Sequence, residues 1–203
     1  MADLKSILSL LNTDGCEGPS VSVGYVPCQP GNFYGKPSQS PDRYTAIGAS
    51  GVTIGTGCDL GQTDIGRLIS AGVRPDTVQK LVPYIGLKKD AAIRALAAQP
   101  LSLADSEVRT LDSGHIKQYL DRFVRPEYEK ASGASFDALP PQAQAVIFSV
   151  CYQKGCAGVR KDWPKLWKFL TNQQWPAAAN ELKTGFSQYK LRRRIEGELL
   201  STV

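Results

Sequence analysis

The spacing of apolar positions changes character twice along the chain. In residues 1–11, Leu4, Ile7, Leu8 and Leu11 recur at helical spacing behind Asp3, an acid placed to cap the first turn; this predicts a helix over 2–11. Residues 12–61 lose that period. Gly and Pro recur there around short β-prone pieces such as VSVGYV and GVTIGTG, a pattern of loop-rich hairpins. From about residue 62 to 203 the helical period returns. Ile65, Leu68 and Ile69 form one stripe that stops at Gly72, and Pro75 opens a short helix with Val78, Leu81 and Val82. KKDAAIRALAAQ ends before Pro100, and Ser102 begins a longer run through Val108, Leu111, Ile116, Leu120 and Phe123. Pro140 and Pro141 open PPQAQAVIFSVCYQKG, the most apolar segment and the expected most buried helix. Pro164 and Pro176 sit where a first helical turn accepts them, and KLRRRIEGELL closes the chain as an amphipathic, basic helix. No repeat, linker or low-complexity tail interrupts this order. The expectation is one α+β domain over 1–203: an N-terminal helix (2–11), a small β-hairpin lobe (about 12–61) and a larger helical bundle lobe (about 62–203), with a cleft between the lobes.

Composition narrows the classes. Of 203 residues, 42% are hydrophobic and 21% charged, which excludes a disordered chain, a collagen-like fibre and a disulfide-stapled miniprotein. No apolar run approaches the roughly 18 residues that a membrane-spanning helix needs. The net charge of +5 suits an acidic partner, whether nucleic acid or an anionic cell surface, without naming it. A single His excludes a multi-histidine zinc site, and the cysteines (Cys16, Cys28, Cys58, Cys151, Cys156) contain no CxxC pair; neither metal nor cofactor is expected. Cys16 with Cys28, or Cys151 with Cys156, could form a disulfide outside the cytoplasm, which spacing alone does not decide; buried free thiols are the ordinary alternative. The second pair is the one expected under oxidising conditions, because Gly155 ends a helix and lets the two thiols meet. MADLKSILSLLNTDG is too polar for a secretory signal, so the expected route out of the cytoplasm is an external one, phage lysis or a secretion machine.

The candidate chemistry lies in the hairpin region, whose acids are Asp14, Glu17, Asp42 and Asp59. Two carboxylates from separate segments facing one cleft are the minimum for glycoside hydrolysis. Glu17, just before Gly18 and Pro19, and Asp59, just after GVTIGTGC, fit that need; the ordinary alternative is a solvated turn glutamate and a helix-capping aspartate. Other chemistries fare worse. His115, between Gly114 and Ile116, reads as a surface or capping residue rather than a catalytic partner for Cys. GVTIGTG carries neither the full dinucleotide fingerprint nor a phosphate-binding lysine. Arg192, Arg193 and Arg194 belong to an amphipathic helix and read as a solvated face, with a salt bridge to Glu196 or Glu198, rather than as a nucleic-acid site.

Several landmarks stand in one order along the chain: Glu17–Gly18 soon after a short helix, the strand phrase Thr53-Ile54-Gly55-Thr56-Gly57, LSLADSEVRTLDSGHIKQYLDRFV, LPPQAQAVIFSVCYQKG with its aromatic-Gln-x-Gly ending, WPKLWKFLTNQQWPAAANELKT and LRRRIEGELL. Together they resemble the phage T4-type lysozymes over nearly the whole chain. TAIGASGV lacks the acid that branch carries before its threonine, and TIGTGCDLGQ instead resembles the pesticin-type branch, whose aspartate follows the threonine by six residues. That aspartate is Asp59 here, with Asp42 in the long insertion around 28–43 as second choice.

The resemblance implies a muramidase that hydrolyses β-1,4 links between N-acetylmuramic acid and N-acetylglucosamine in peptidoglycan. It implies Glu17 as general acid, with a pKa raised by its surroundings, and Asp59 ionised, activating water or stabilising oxocarbenium character. Thr53 would hold a water or product oxygen; Gly55, Tyr152 and Gln153 would touch substrate. Glu17→Gln is then expected to leave stability unchanged or slightly raised. The expected protein is a monomer without nucleic-acid or membrane partners, facing an immunity protein if it is a delivered toxin. The competing functions are a chitinase-like hydrolase on the same fold and a catalytically inactive wall- or partner-binding module.

Overall fold

The computed structural model describes residues 2–29, 32–36 and 38–203. In chain order the elements are α1 (Leu4–Leu11), β1 (Val21–Cys28), β2 (Asn32–Tyr34), β3 (Thr53–Gly55), β4 (Cys58–Asp59), α2 (Ile65–Ser70), α3 (Pro75–Leu81), α4 (Lys89–Ala98), α5 (Asp105–Tyr119), α6 (Arg125–Ser132), α7 (Pro141–Lys154), α8 (Cys156–Asp162), α9 (Pro164–Thr171), α10 (Trp175–Thr184) and α11 (Lys190–Leu200). Of the insertion expected around 28–43, residues 30, 31 and 37 lie outside the described residues; the remainder carries β2 and a 3-10 turn at Pro41–Arg43.

Two compact units form, one of Ser20–Gln118 and the other of Met1–Pro19 with Tyr119–Val203. In the first, an antiparallel sheet has the strand order β2-β1-β3-β4. Strand β1 alternates as its sequence suggests: Gly24, Val26 and Cys28 are buried, while Val23 is exposed and Tyr25 and Pro27 are half-buried. Strands this short cannot bury a face by themselves. The inward residues Val26, Ile54, Cys58 and Leu60 therefore pack with Leu68, Leu81, Tyr84, Ile93, Leu96, Val108 and Leu111 from the helical segments after the sheet. This unit consequently runs to residue 118, well past residue 61, where the sequence pattern turns helical.

Helix α5 starts at Asp105, not at Ser102. Ser102 forms an isolated bridge with Val23, and the Gly24 and Leu103 amides donate to Leu101 and Ser22 carbonyls, so the chain stays extended beside β1 until Leu103. Glu107 then accepts from the Ala104 amide at 2.8 Å and starts the helix. At the other end, Leu120–Val124 form a π-helical turn. The extra residue shifts the buried stripe: Leu120 and Val124 face inward, and Phe123, expected to belong to that stripe, is 40% exposed.

In the second unit α7 is buried from Ala143 to Cys151, the helix expected to be deepest, with Pro141 in its first turn. Helix α1 packs on it. Asp3 caps α1 through the Lys5 and Ser6 amides, and its own amide donates to Gln144 at 2.8 Å.

All five cysteines are free thiols, which corrects the expected Cys151–Cys156 disulfide. The two thiols do meet, joined by a hydrogen bond, because Gly155 with φ +72° lets α8 follow α7 at once. Burial pushes the Cys151 thiol well above its usual range. The thiolate that disulfide chemistry needs is therefore suppressed.

His115 is a further correction: it is half-buried on α5 rather than a surface or capping residue. Loss of water around the imidazole pushes its pKa down to about 4 from 6.5, with Asp112 opposing and Arg67 reinforcing the shift. As pH falls below 6.5 the unfolded chain takes up this proton before the folded one, so stability declines down to about 4 and is level below that. The lone histidine makes the check direct. Its imidazole NMR signals should titrate near 4 in the folded protein and near 6.5 in urea, and His115→Gln should remove that part of the pH dependence of the urea midpoint.

Candidate functional site

The β3–β4 hairpin sets Thr53 directly opposite Asp59. Directly opposed residues of an antiparallel pair share a face, with Cβ atoms about 5 Å apart. Thr53 is buried and its hydroxyl donates to the Gly51 carbonyl at 3.4 Å. Asp59 is half-buried, and its Oδ1 accepts from the Gly61 amide at 2.8 Å and the Gly51 amide at 3.1 Å. These two backbones lie against each other and the Leu87 carbonyl; a Cβ on Gly51 would fall 2.5 Å from that oxygen, and one on Gly61 2.6 Å. Burial raises the Asp59 pKa above 3.8, opposed by the two amides and by Lys88. Neither amide bond uses Oδ2. Asp59 is thus also the cap of the 3-10 turn Leu60–Gln62, so the capping alternative describes one of its oxygens.

The hairpin is locked from α5. Asp112 is buried and accepts from the Thr56 amide on Oδ1 at 2.7 Å, and from the Thr56 and Ser20 hydroxyls on Oδ2 at 2.8 and 2.6 Å. Such an approach requires glycine at position 55, where φ is +64° and an added Cβ would sit 2.1 Å from Asp112 Oδ1. The space over Gly55 that was expected to admit substrate is held by this carboxylate.

In the other unit, Glu17 follows α1, its amide donating to the Leu11 carbonyl at 3.0 Å. Its Oε1 accepts from Arg192 Nη1 at 2.6 Å, with the Glu17 side chain 24% and that of Arg192 5% exposed. Arg192 also donates to Glu196 Oε1 at 3.2 Å, to the Ser149 hydroxyl at 2.9 Å and to the Ser149 carbonyl at 3.1 Å. Arg193 donates to Glu196 at 3.0 Å and to Gln153 at 2.5 Å, with its guanidinium over the Trp163 ring. Burial works against the charge on Arg192, but Glu17 and Glu196 outweigh it and raise its pKa. The expectation of a solvated basic face holds only for Arg194, paired with Glu198; Arg192, Arg193 and Glu196 are buried. Their burial is possible because two guanidiniums meet two carboxylates.

That pairing also revises the expected effect of Glu17→Gln. Glu17 balances a buried guanidinium, so its neutralisation should lower stability rather than leave it unchanged.

The expected site residues thus fall into two groups. Thr53, Gly55 and Asp59 share the hairpin; Glu17 and Gln153 attach to the arginine pair. Tyr152 packs with Tyr119 and Phe148, ring centroids 5.1 and 5.3 Å away. Asp42 is exposed on the Pro41–Arg43 turn, beside a pocket of about 320 Å³ shared with Asp90 and Arg94. Sequence reasoning passed over Asp112, Thr56 and Ser149. For Asp112 the signal was an acid within the apolar stripe of Val108, Leu111 and Ile116. Among the described residues, no group of three or more His, Cys, Asp and Glu side chains is placed to hold a metal ion.

A family model described as Pesticin, a bacterial toxin homologue of phage lysozyme, C-terminal, matches residues 8–176. The chain belongs to the pesticin family. No curated protein matches it. The pesticin match takes in Glu17, Thr53, Asp59, Tyr152 and Gln153 and ends before α11, so the arginine pair lies beyond it. The expected lysozyme-like α+β fold agrees with this membership and with the small antiparallel sheet among helices.

Two substitutions check these contacts by urea unfolding. Gly55→Ala should lower stability by about 2 kcal/mol or more, because the methyl group displaces Asp112 and φ is positive. Glu17→Gln should lower it by about 1–2 kcal/mol, the amide keeping a hydrogen bond but not the charge.

Proposed function

We propose that the protein is a peptidoglycan muramidase that hydrolyses the β-1,4 link between N-acetylmuramic acid and N-acetylglucosamine. One observation carries this reading. Glu17 and Asp59 are each held by a single oxygen, whereas the structural carboxylates Asp112 and Glu107 are bonded through both. A carboxylate fixed on one oxygen keeps its direction while the other stays available to a substrate or a water.

In this reading Glu17, aimed by Arg192, takes up a proton from solvent and passes it to the leaving glycosidic oxygen. Asp59 takes a proton from the attacking water or stabilises positive charge on the sugar, and Thr53, its cross-strand neighbour, orients that water. Lifting a carboxylate toward the working pH makes it a stronger base, the direction in which burial moves Asp59. Membership of a toxin family and the +5 charge support a role against an anionic cell wall, outside the producing cytoplasm, with an immunity protein guarding the producer.

The test is release of reducing sugar from purified peptidoglycan. Glu17→Gln and Asp59→Asn should each lower the rate at least about 100-fold, while Asp42→Asn should keep most of it. If Asp42→Asn causes the larger loss, the second acid has been assigned wrongly. Near wild-type rates for Glu17→Gln would remove Glu17 from the mechanism. A wild type that cleaves chitin oligomers but not peptidoglycan would make it a chitinase, and wall binding without cleavage would leave a binding module. The rate should also fall with acid as Asp59 gains its proton, in a limb lying above 3.8 that is lost in Asp59→Asn.

A further inference from the structure

Strand β1 places a third residue in line with the Thr53–Asp59 pair. Tyr25 is the direct partner of Thr53, so Tyr25, Thr53 and Asp59 form a row across three strands on one sheet face. That face is the one turned away from the apolar core, since Ile54 and Cys58, the next pair along the hairpin, are fully buried within the core. Phe33 of β2 is opposite Pro27 and therefore diagonal to Tyr25 on the same face. The two rings meet edge to face, with centroids 5.9 Å apart and planes at 73°. Gly35, just after β2, brings no side chain against them; a Cβ there would come 3.0 Å from Tyr25 Cβ. Val23 extends the same face, and Val23 and Phe33 are both 49% exposed.

Large apolar groups left in water on the outer face of a sheet call for a partner. The row identifies its chemistry, because its neighbours are a hydroxyl and a carboxylate rather than more apolar groups. A pyranose ring matches this mixture: one flat C–H face for an aromatic ring, and hydroxyl and acetamido groups around the rim for the polar side chains. A partner helix would need a longer apolar surface, and a nucleic acid would need cations where Asp59 stands.

We propose that Tyr25 and Phe33 form a sugar-stacking platform that holds one pyranose of the glycan beside Thr53 and Asp59. The inference rests on the muramidase reading and adds the subsite that gives this hairpin its grip on the strand. Tyr25 and Phe33 brace each other through this edge-to-face contact, so the platform works as a pair. Its contribution is binding that substrate and transition state share, and losing it raises KM more than it lowers kcat.

The experiment uses the full chain on purified peptidoglycan. Tyr25→Leu and Phe33→Ala should each raise KM about three- to tenfold with kcat within about twofold, while Tyr25→Phe, which keeps the ring, should stay near wild type. Phe33→Ala carries the test if Tyr25→Leu folds poorly, since the Phe33 ring is half in water. The same changes made in a Glu17→Gln background should lower the fraction of protein sedimenting with peptidoglycan, a readout that needs no hydrolysis. Unchanged KM and unchanged sedimentation for Phe33→Ala and Tyr25→Leu overturn the platform, even where wild type cleaves normally. A wild type that sediments through these rings without cleaving upholds the platform and removes the hydrolase reading.

Discussion

Burying Arg192 is the constraint on which the Glu17 side of the molecule depends. A guanidinium with its side chain 5% exposed must be matched by negative charge and by acceptors for its N–H groups. Glu196 and Ser149 meet part of that need, but Glu196 Oε1 is shared with Arg193. Glu17 supplies the remaining charge from a position 175 residues away in sequence. An acid on a turn after a short helix would otherwise be free to move. Here its Oε1 is fixed because the interior would be left with an unbalanced cation if it moved. The same ions that hold α11 against α7 therefore also aim Glu17.

The sheet unit solves a similar problem with neutral donors. Asp112 and Asp59 bind backbone amides and hydroxyls among the described residues, and both act on the β3–β4 hairpin. Asp112 ties the turn residue Thr56 to α5. Asp59 ties the end of β4 to the loop backbone at Gly51. A two-residue strand has little stability of its own. Its geometry comes from these two carboxylates and from Ile54 and Cys58 in the core. The cradle also explains the run of glycines, because amide groups reach a carboxylate only where no side chain keeps the backbones apart.

Much of the fold was legible in the sequence because its signals are local. Proline in the first turns of α3, α7, α9 and α10, Asp3 before α1, and the alternation in VSVGYV each act within a few residues. What escaped was set by distant partners. Ser102 stays extended because β1 offers it a bridge, and the π turn at Leu120–Val124 moves Phe123 out of a stripe that simple periodicity had included. The arginines of α11 show the same limit: i,i+3 and i,i+4 spacing reveals the pairing with Glu196, but charge alone cannot say that the pair is buried. Of the candidate site, the motif phrases pointed to Glu17, Thr53 and Asp59, but could not reveal that Asp112 occupies the space over Gly55. Nor could spacing tell a bridged cysteine pair from two free thiols, of which Cys151 is kept protonated by burial.

The contrast among carboxylates bears most directly on function. Where an acid serves the fold alone, satisfying both oxygens is the stable arrangement, as Asp112 and Glu107 illustrate. Glu196 goes the other way, with a buried Oε2 that lacks a partner, and its burial keeps any substrate from reaching it. Glu17 and Asp59 combine the two properties that neither class has: one oxygen fixed by the protein, and enough exposure for the other to be reached. The means differ in a way that suits different roles. A guanidinium partner fixes Glu17 through charge, so the contact changes strength whenever the acid gains or loses its proton. Amide partners fix Asp59 through neutral dipoles on a rigid loop, so its position depends far less on protonation. Under the proposed muramidase reading, the first arrangement suits an acid that gives up and recovers a proton in each cycle, and the second a carboxylate that holds its place against a developing positive charge.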